Sequence, residues 1–354
     1  MEKRRNADGR AAGENLSLAR LRWNRFKSVR RAYASLVALG VAFAISLLGP
    51  LVAGDKPLLM KYEGRLFVPV FAFHSDAEFG GSRASEADYL ALKARPDFAE
   101  GGNWMVFPIV PHDPLRRYID APEPPPHAPS AEHWLGTDGS ARDVLSRLIH
   151  GFRVSMLFAL SLVTVSALFG VLAGGLQGFL GGRFDLAAQR FVEIWSALPF
   201  LYVVILVGAV FGRSFGMLLL SMALFEWIGL SYYMRGEFLR LRNFGYVRSA
   251  RALGMGRFHV FVREILPNAM TPVVTLLPFN LIGGIGSLTA LDFLGFGLQP
   301  PTPSWGELLA QGLQHLYAPW IAGSVVAALF VTLLLATFVG EGARTAFDPK
   351  AERR

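Results

Sequence analysis

Long stretches of this sequence contain no charged side chain, and that constrains the fold more than any other feature. Residues 32–54, 154–182, 194–212, 265–291 and 308–340 hold no Asp, Glu, Lys or Arg, and residues 214–234 hold only Glu226. About 20 apolar residues wound as a helix cross the roughly 30 Å of hydrocarbon in a bilayer. A helix also satisfies its own backbone N–H and C=O groups where no water can reach them. The runs therefore predict an all-α polytopic membrane protein with six transmembrane helices. Of 354 residues, 52% are hydrophobic and only 18% charged, whereas soluble chains carry about 25% charged residues.

The basic residues give the expected sidedness. Residues 1–31 carry 10 Lys and Arg against 3 acidic residues, and Arg235, Arg240, Arg242, Arg248, Arg251, Arg257 and Arg263 follow the fourth run against Glu237 and Glu264. Lys350, Arg353 and Arg354 close the chain. Six crossings put these segments on one side, together with Arg183 and Arg190. Short cytoplasmic segments retain Lys and Arg, so both termini are expected in the cytoplasm. Anionic headgroups account for the net charge of +8, and no nucleic acid is implied. Without cysteine, disulfides, thiolate metal sites and cysteine nucleophiles are excluded. The 7 histidines show no close-spaced helical pair, so no metal site is expected. The first apolar run starts after about thirty polar residues and is long enough to span, so no cleaved signal peptide is expected.

This gives a cytoplasmic segment at 1–31, a first transmembrane helix at 32–54, and an extracytoplasmic loop or cap at 55–150. A core of five transmembrane helices follows at 151–345, then a cytoplasmic tail at 346–354. In the loop, the apolar runs 67–73 and 104–110 are candidate strands. Pro122, Pro124, Pro125, Pro126 and Pro129 make a stiff extended connector. No tandem repeat is visible.

The most informative segment is 244–267. Residues 246–253 read as a short helix with Gly254 as a left-handed residue just past its end. The stripe Phe258, Phe261, Val262 and Ile265 has helical period, and Pro267 is expected to close it. Two short helices meeting at a glycine make either a foot that docks into a partner or an amphipathic hairpin lying on lipid. The pattern alone leaves both open.

Arg248-Ser249-Ala250-Arg251-Ala252-Leu253-Gly254, followed by Ile265-Leu266-Pro267-Asn268, resembles the coupling motif of ABC-importer permeases of the dipeptide/oligopeptide/nickel branch. The sequence departs from that motif at Arg248, where the branch carries Glu or Asp, and at Ser249, where it carries Ala. The segments 133–138 with 142–147, 291–298 with 303–309, and 340–344 with 347–349 are also similar to that branch. Phe79-Gly80-Gly81 and Ala87-Asp88-Tyr89 in the long loop look most like Yej-type permeases, associated with oligopeptides and microcin C. The resemblance implies a bacterial inner-membrane permease subunit with no catalytic residue. Contact with the ATPase would run through Tyr246, Arg248, Ala250, Arg251, Ala252, Leu253, Gly254, Phe258, Leu266 and Pro267. It also implies a sister permease, an ABC ATPase that binds the ATP and Mg, and an extracytoplasmic peptide-binding protein. The chain itself shows no glycine-rich phosphate loop ending in Lys-Ser/Thr, so no cofactor is expected on it.

Gly170, Gly174, Gly178 and Gly182 recur every fourth residue, a spacing that lets helix backbones approach closely in lipid. Helix packing is expected of them rather than ligand contact. Glu226 sits within a span, where a carboxylate is costly and a candidate for the translocation path; the alternative is a protonated group bonded to neighbouring helices. Asp292 is expected to cap a loop, and Trp195 and Pro199 to shape the start of the third span. Two rival functions remain: an ion-coupled secondary transporter using Glu226, and a membrane-anchored enzyme housed in residues 55–153.

Overall fold

The computed structural model describes residues 18–96, 98, 101–119 and 123–347. The basic residues Lys3, Arg4, Arg5 and Arg10, the connector residue Pro122, and the tail from Asp348 lie outside the described residues. In chain order the described elements are α1 (Leu18–Ser28), α2 (Arg30–Leu47), α3 (Gly49–Val52), β1 (Leu59–Tyr62), β2 (Arg65–Phe67), α4 (Tyr89–Lys93) and β3 (Trp104–Val106). There follow α5 (Val144–Leu180), α6 (Gly182–Ser196), α7 (Phe200–Phe211), α8 (Phe215–Leu241), α9 (Gly245–Ala252), α10 (Arg257–His259), α11 (Leu266–Phe293), α12 (Trp305–Gln314) and α13 (Pro319–Ala346).

The chain is predominantly helical. α2, α5, α8, the run Arg257–Phe293 and α13 are each long and apolar enough to cross a membrane. The expected third span, 194–212, is not one straight helix. It is divided between α6 and α7, bent by 72°, and makes a sixth crossing only when that pair is counted as one span. Pro199 causes the break: it has no N–H to continue α6, and it sits in extended geometry (φ −69°, ψ 105°) ahead of Phe200. The expected last span, 308–340, also divides. Ala318 before Pro319 is held at φ −113°, ψ 67°, as the proline ring requires. The crossing helix therefore starts at Pro319, and residues 305–314 form the separate α12. Pro267 does not close a helix as expected. A π-turn at Val260–Ile265 runs straight into α11, with the proline in its first turn. There a missing N–H is harmless, and the wide turn relieves the clash of the ring with the preceding carbonyls.

α5 packs most extensively against α8, along the glycine face. A Cβ on Gly170 would meet Leu230 Cβ and the Trp227 carbonyl at 2.9 Å, and one on Gly174 or Gly178 would overlap the carbonyl oxygens of Ser231 or Arg235. Gly182 does not share this seam. Nothing lies within 4 Å of its Cβ position, and at φ +55° it turns the chain into α6. The Arg235 guanidinium grips Asp185 of α6 bidentately at 2.6 and 2.8 Å. Trp195 Nε1 donates to the Leu224 carbonyl at 2.8 Å, so Trp195 pins the broken span to α8.

Between α3 and α5 the chain builds a small cap. Its antiparallel sheet has the order β2-β1-β3, with Met60 opposite both Phe67 and Met105. The sheet closes over its own core of Met60, Phe79, Tyr89, Leu92 and Phe98. Phe79 meets Tyr62 and Phe67 edge-on, both at 5.3 Å, the geometry aromatic quadrupoles favour. β3 lies within the expected run 104–110, whereas β2 only touches the start of 67–73, most of which is turn.

Gly174→Val places a branched side chain against the Ser231 backbone. Overpacking of this kind costs about 1–3 kcal/mol or more, so the melting temperature in detergent is expected to fall by about 5 °C or more. Gly40→Ala, at a site with nothing within 4 Å, serves as the control. Equal melting of the two variants would show that the seam does not hold the bundle.

Candidate functional site

The elbow between α8 and α11 is built around one chain reversal. At the end of α9, the Gly254 N–H donates to the Arg251 carbonyl (3.0 Å) and the Met255 N–H to the Ala250 carbonyl (3.1 Å). This double closure is a Schellman ending, which needs a left-handed residue at its turn. Gly254 supplies it at φ +80°. Of the expected stripe, Phe261 and Ile265 face inward, buried with Val247, Ala250 and Val260 and with Met234, Phe238 and Leu241 of α8, whereas Val262 is half-buried and Phe258 points outward. Phe261 packs on Phe238 with ring centroids 4.9 Å apart.

Polar contacts fix the elbow further. Asn268 Nδ2 donates to the Glu264 carbonyl at 2.9 Å and to Tyr246 Oη at 3.4 Å. The Arg251 guanidinium lies 5.4 Å from the centre of the Phe179 ring, and Arg242 Nη1 donates to the Gly178 carbonyl at 3.1 Å. That last contact places a cation at the C-terminus of α5, where the helix dipole favours one. The tip stays open, with Leu253 79% and Phe258 81% exposed. Tyr246, Arg248, Arg251, Ala252, Gly254 and Pro267 are also exposed, Leu266 is half-buried, and Ala250 is buried.

A second constellation lies where the cap meets the bundle. Arg142 Nε donates to Asp138 at 2.8 Å and its Nη2 to Glu307 Oε1 at 2.8 Å. Arg147 pairs with Glu307 Oε2 and donates to the Pro114 carbonyl at 3.1 Å. Trp305 Nε1 donates to the Leu148 carbonyl at 3.0 Å, and a Cβ on Gly151 would come within 2.8 Å of the indole. Asp292 accepts from the Leu298 N–H at 2.7 Å and from the Ser304 hydroxyl, the loop cap its position suggested. Close spacing in sequence gave no hint of a neighbouring cluster: His112, His133 and Asp143 hold their possible ligand atoms within 4.8 Å of one another. These atoms are committed to hydrogen bonds. His112 bonds Tyr118 Oη (2.8 Å) and the Glu132 carbonyl (2.9 Å), while Asp143 holds His133 Nδ1 (2.9 Å) and the Ser146 N–H (2.7 Å). The cluster therefore locks the connector onto the start of α5.

Residues 166–353 match the family model described as binding-protein-dependent transport system inner membrane component. The chain belongs to this family. It is similar to the inner membrane ABC transporter permease protein YejE of Escherichia coli, 44% identical over 93% of this chain and 96% of that protein. It is also similar to the peptidoglycan transport system permease protein YejE of Agrobacterium fabrum, 42% identical over 93% of this chain and 92% of that one. The oligopeptide transport system permease protein OppC of Haemophilus influenzae is 35% identical over 84% of this chain and 93% of its own length. The protein is thus a multi-pass inner-membrane permease subunit.

Within this permease the site residues expected from sequence separate into distinct places. The elbow gathers Tyr246 to Pro267. Gly170, Gly174 and Gly178 form the α5–α8 seam, and Glu226 stands on α8, roughly 22 Å along the helix from Leu241. Asn268, Met255 and the buried Val247 were not singled out as functional. Asp138, Arg142 and Arg147 lie within segments that the sequence singled out, but their pairing with Glu307 had no local signal, because 160 residues separate it from Arg147.

Glu307→Ala should take from the fully buried Arg147 the carboxylate that its Nη2 pairs with, leaving only the longer contact with Asp138 and destabilising the permease by about 3–5 kcal/mol in detergent denaturation. Arg147→Met combined with Glu307→Gln should recover most of that loss. A Glu307→Ala protein as stable as the parent would show that the cluster contributes no net stability.

Proposed function

We propose that this permease is a transmembrane subunit of an ATP-driven importer of peptides or peptide-like compounds, and that its elbow docks into a separate ATPase. The orientation of the elbow's stripe carries the reading. A hairpin lying on lipid turns its apolar stripe outward along its length. Here Phe261 and Ile265 of the stripe, with Val247 and Val260, face inward against Phe238 and Leu241, and the tip side chains Leu253 and Phe258 project further than Phe244, Tyr246 and Met255. Two large exposed apolar residues flanking a glycine turn, with arginines around them, form a knob suited to a groove on a protein partner.

The elbow is proposed to lie in the cytoplasm with both termini. Leu36, Leu266 and Val339 line one apolar groove, so the starts of α2 and α11 and the end of α13 share one end of the bundle. Phe26, Ala32 and Ala346 form a small core there, with Arg31 3.3 Å from Glu341. The many Arg residues at this end then face the side where positive charge is retained. The cap occupies the opposite end, where it would meet an extracytoplasmic binding protein. A sister permease would complete the translocation path, and ATP with its Mg would bind only to the ATPase. The relatives named for peptidoglycan and oligopeptide transport support a peptide-like cargo. Microcin C is one candidate through the Yej-type resemblance.

Leu253→Asp and Phe258→Asp remove no buried contact, so the melting temperature should stay within about 2 °C of the parent. Peptide uptake by the reconstituted complex should fall about tenfold or more, and co-purification of the ATPase should weaken with it. Gly254→Val should do the same by forcing a branched residue into left-handed geometry. ATPase co-purification that all three substitutions leave unchanged would defeat the docking assignment.

A further inference from the structure

Midway along α8, Glu226 opens into a cavity of about 450 Å³ between α7, α8 and α11. Tyr233 of α8 and Asn280 and Ser287 of α11 line the same cavity. None of these four polar side chains makes a hydrogen bond or ion pair with a described residue. Their neighbours behave differently. On the same two helices Ser221, Ser231, Thr275 and Thr289 return their hydroxyls to helix carbonyls at 2.7–3.2 Å, the usual way to satisfy a polar group in hydrocarbon.

An unpaired carboxylate among unpaired amide and hydroxyl groups is costly against lipid and marks a surface that meets water or a polar ligand. Among the described residues no Lys, Arg or His lines the cavity, so within it they give the carboxylate no counter-charge. Phe200, Phe225 and Tyr233 also line it, residue types whose rings attract cations. Nothing lies within 4 Å of the Cβ position of Gly229, so the floor is open. The volume falls in the range of small-ligand sites, about 300–1,000 Å³.

We propose that this cavity receives a protonated amine of the transported compound, with Glu226 as its counter-charge and Asn280, Ser287 and Tyr233 as neutral polar contacts. The inference rests on the importer reading above and gives that reading a substrate class: compounds carrying an ammonium group, such as a peptide with a free amino terminus.

The parent sequence has no cysteine, so Ser287→Cys introduces a single reporter thiol. Membranes containing the full chain with its transport partners are treated with a cationic and an anionic methanethiosulfonate of similar size. After correction for reactivity toward a free thiol, the cationic reagent should react about tenfold faster, and adding Glu226→Gln should bring the two rates to within about twofold. In uptake assays Glu226→Gln should slow import of trialanine about tenfold, and Glu226→Asp should restore most of it. Equal reaction rates with Glu226 present, or no modification by either reagent, would overturn the cation site. Measuring uptake on the same membranes separates the two ideas. ATP-dependent uptake without charge preference at the thiol overturns the cation site and leaves the importer standing. Charge preference without any ATP-dependent uptake supports the cavity and overturns the importer reading.

Discussion

Within a bilayer, lipid tails are as apolar as leucine side chains, so helices associate through close van der Waals contact and bonded polar groups rather than through release of water. In this permease that contact is the approach of α5 to α8. Side chains are absent from one face of α5 at Gly170, Gly174 and Gly178, and the α8 backbone fills the space. α8 in turn carries the elbow at its far end, Glu226 midway, and Arg235, which binds α6 through Asp185. Any change in the seam shifts all of these features together, because a close-packed interface repacks in steps rather than flexing.

The two ends of the bundle are fixed by different physics. At the elbow the glue is apolar: Phe238, Phe261 and Val247 join α9, the π-turn and α8 into one body. A force applied at Leu253 or Phe258 would therefore reach α8 and α11 through side chains already in contact, as the proposed coupling to an ATPase requires. Where the cap meets the bundle the glue is ionic. Burying an ion costs several kcal/mol unless its geometry and hydrogen bonds repay the loss. Arg142 meets that condition through Asp138 and Glu307, and Arg147 shares the same two carboxylates, although its buried Nε has no hydrogen-bond partner among the described residues. The start of α5, the Pro114 backbone and α12 thus form one block.

Much of this was legible in the sequence because charge-free runs and helical stripes are local signals. The helix before Gly254, the inward-facing Phe261 and Ile265 of the stripe and the glycine spacing all follow from residues a few positions apart, whereas Phe258 of the same stripe turns outward. The departures have equally local causes that hydropathy hides. Pro199 and Pro319 lie inside apolar runs, where counting charges cannot see them, and each moves a boundary. Pro267 was read as a stop, yet at the start of a helix a proline is an ordinary first-turn residue. Gly182 fits the four-residue spacing but lies beyond the end of α5, so the period outlasts the helix that gives it meaning. The ionic block and the His112–His133–Asp143 cluster were illegible for another reason. Asp138 and Arg142 are four residues apart, but Glu307 joins them, and His112 joins His133, only through the path of the chain, and no spacing rule spans such distances.

The structure also explains why the elbow tolerates Arg248 where the branch it resembles carries an acidic residue. The fold of the elbow draws on the buried Ala250, on the backbone of Arg251 and Met255, and on the positive φ of Gly254. Arg248 is exposed, and its side chain makes no hydrogen bond or ion pair among the described residues. Reversing its charge therefore changes neither the turn nor the core behind it. It changes what the outer face offers. Alongside the exposed Arg251 and Arg257 it adds positive charge to the elbow, and a groove that accepts the proposed knob would have to present acceptors or carboxylates at this position. In this permease shape and charge are thus separable at the elbow: glycine and alanine set the shape, and the residue at 248 sets the charge that a partner meets.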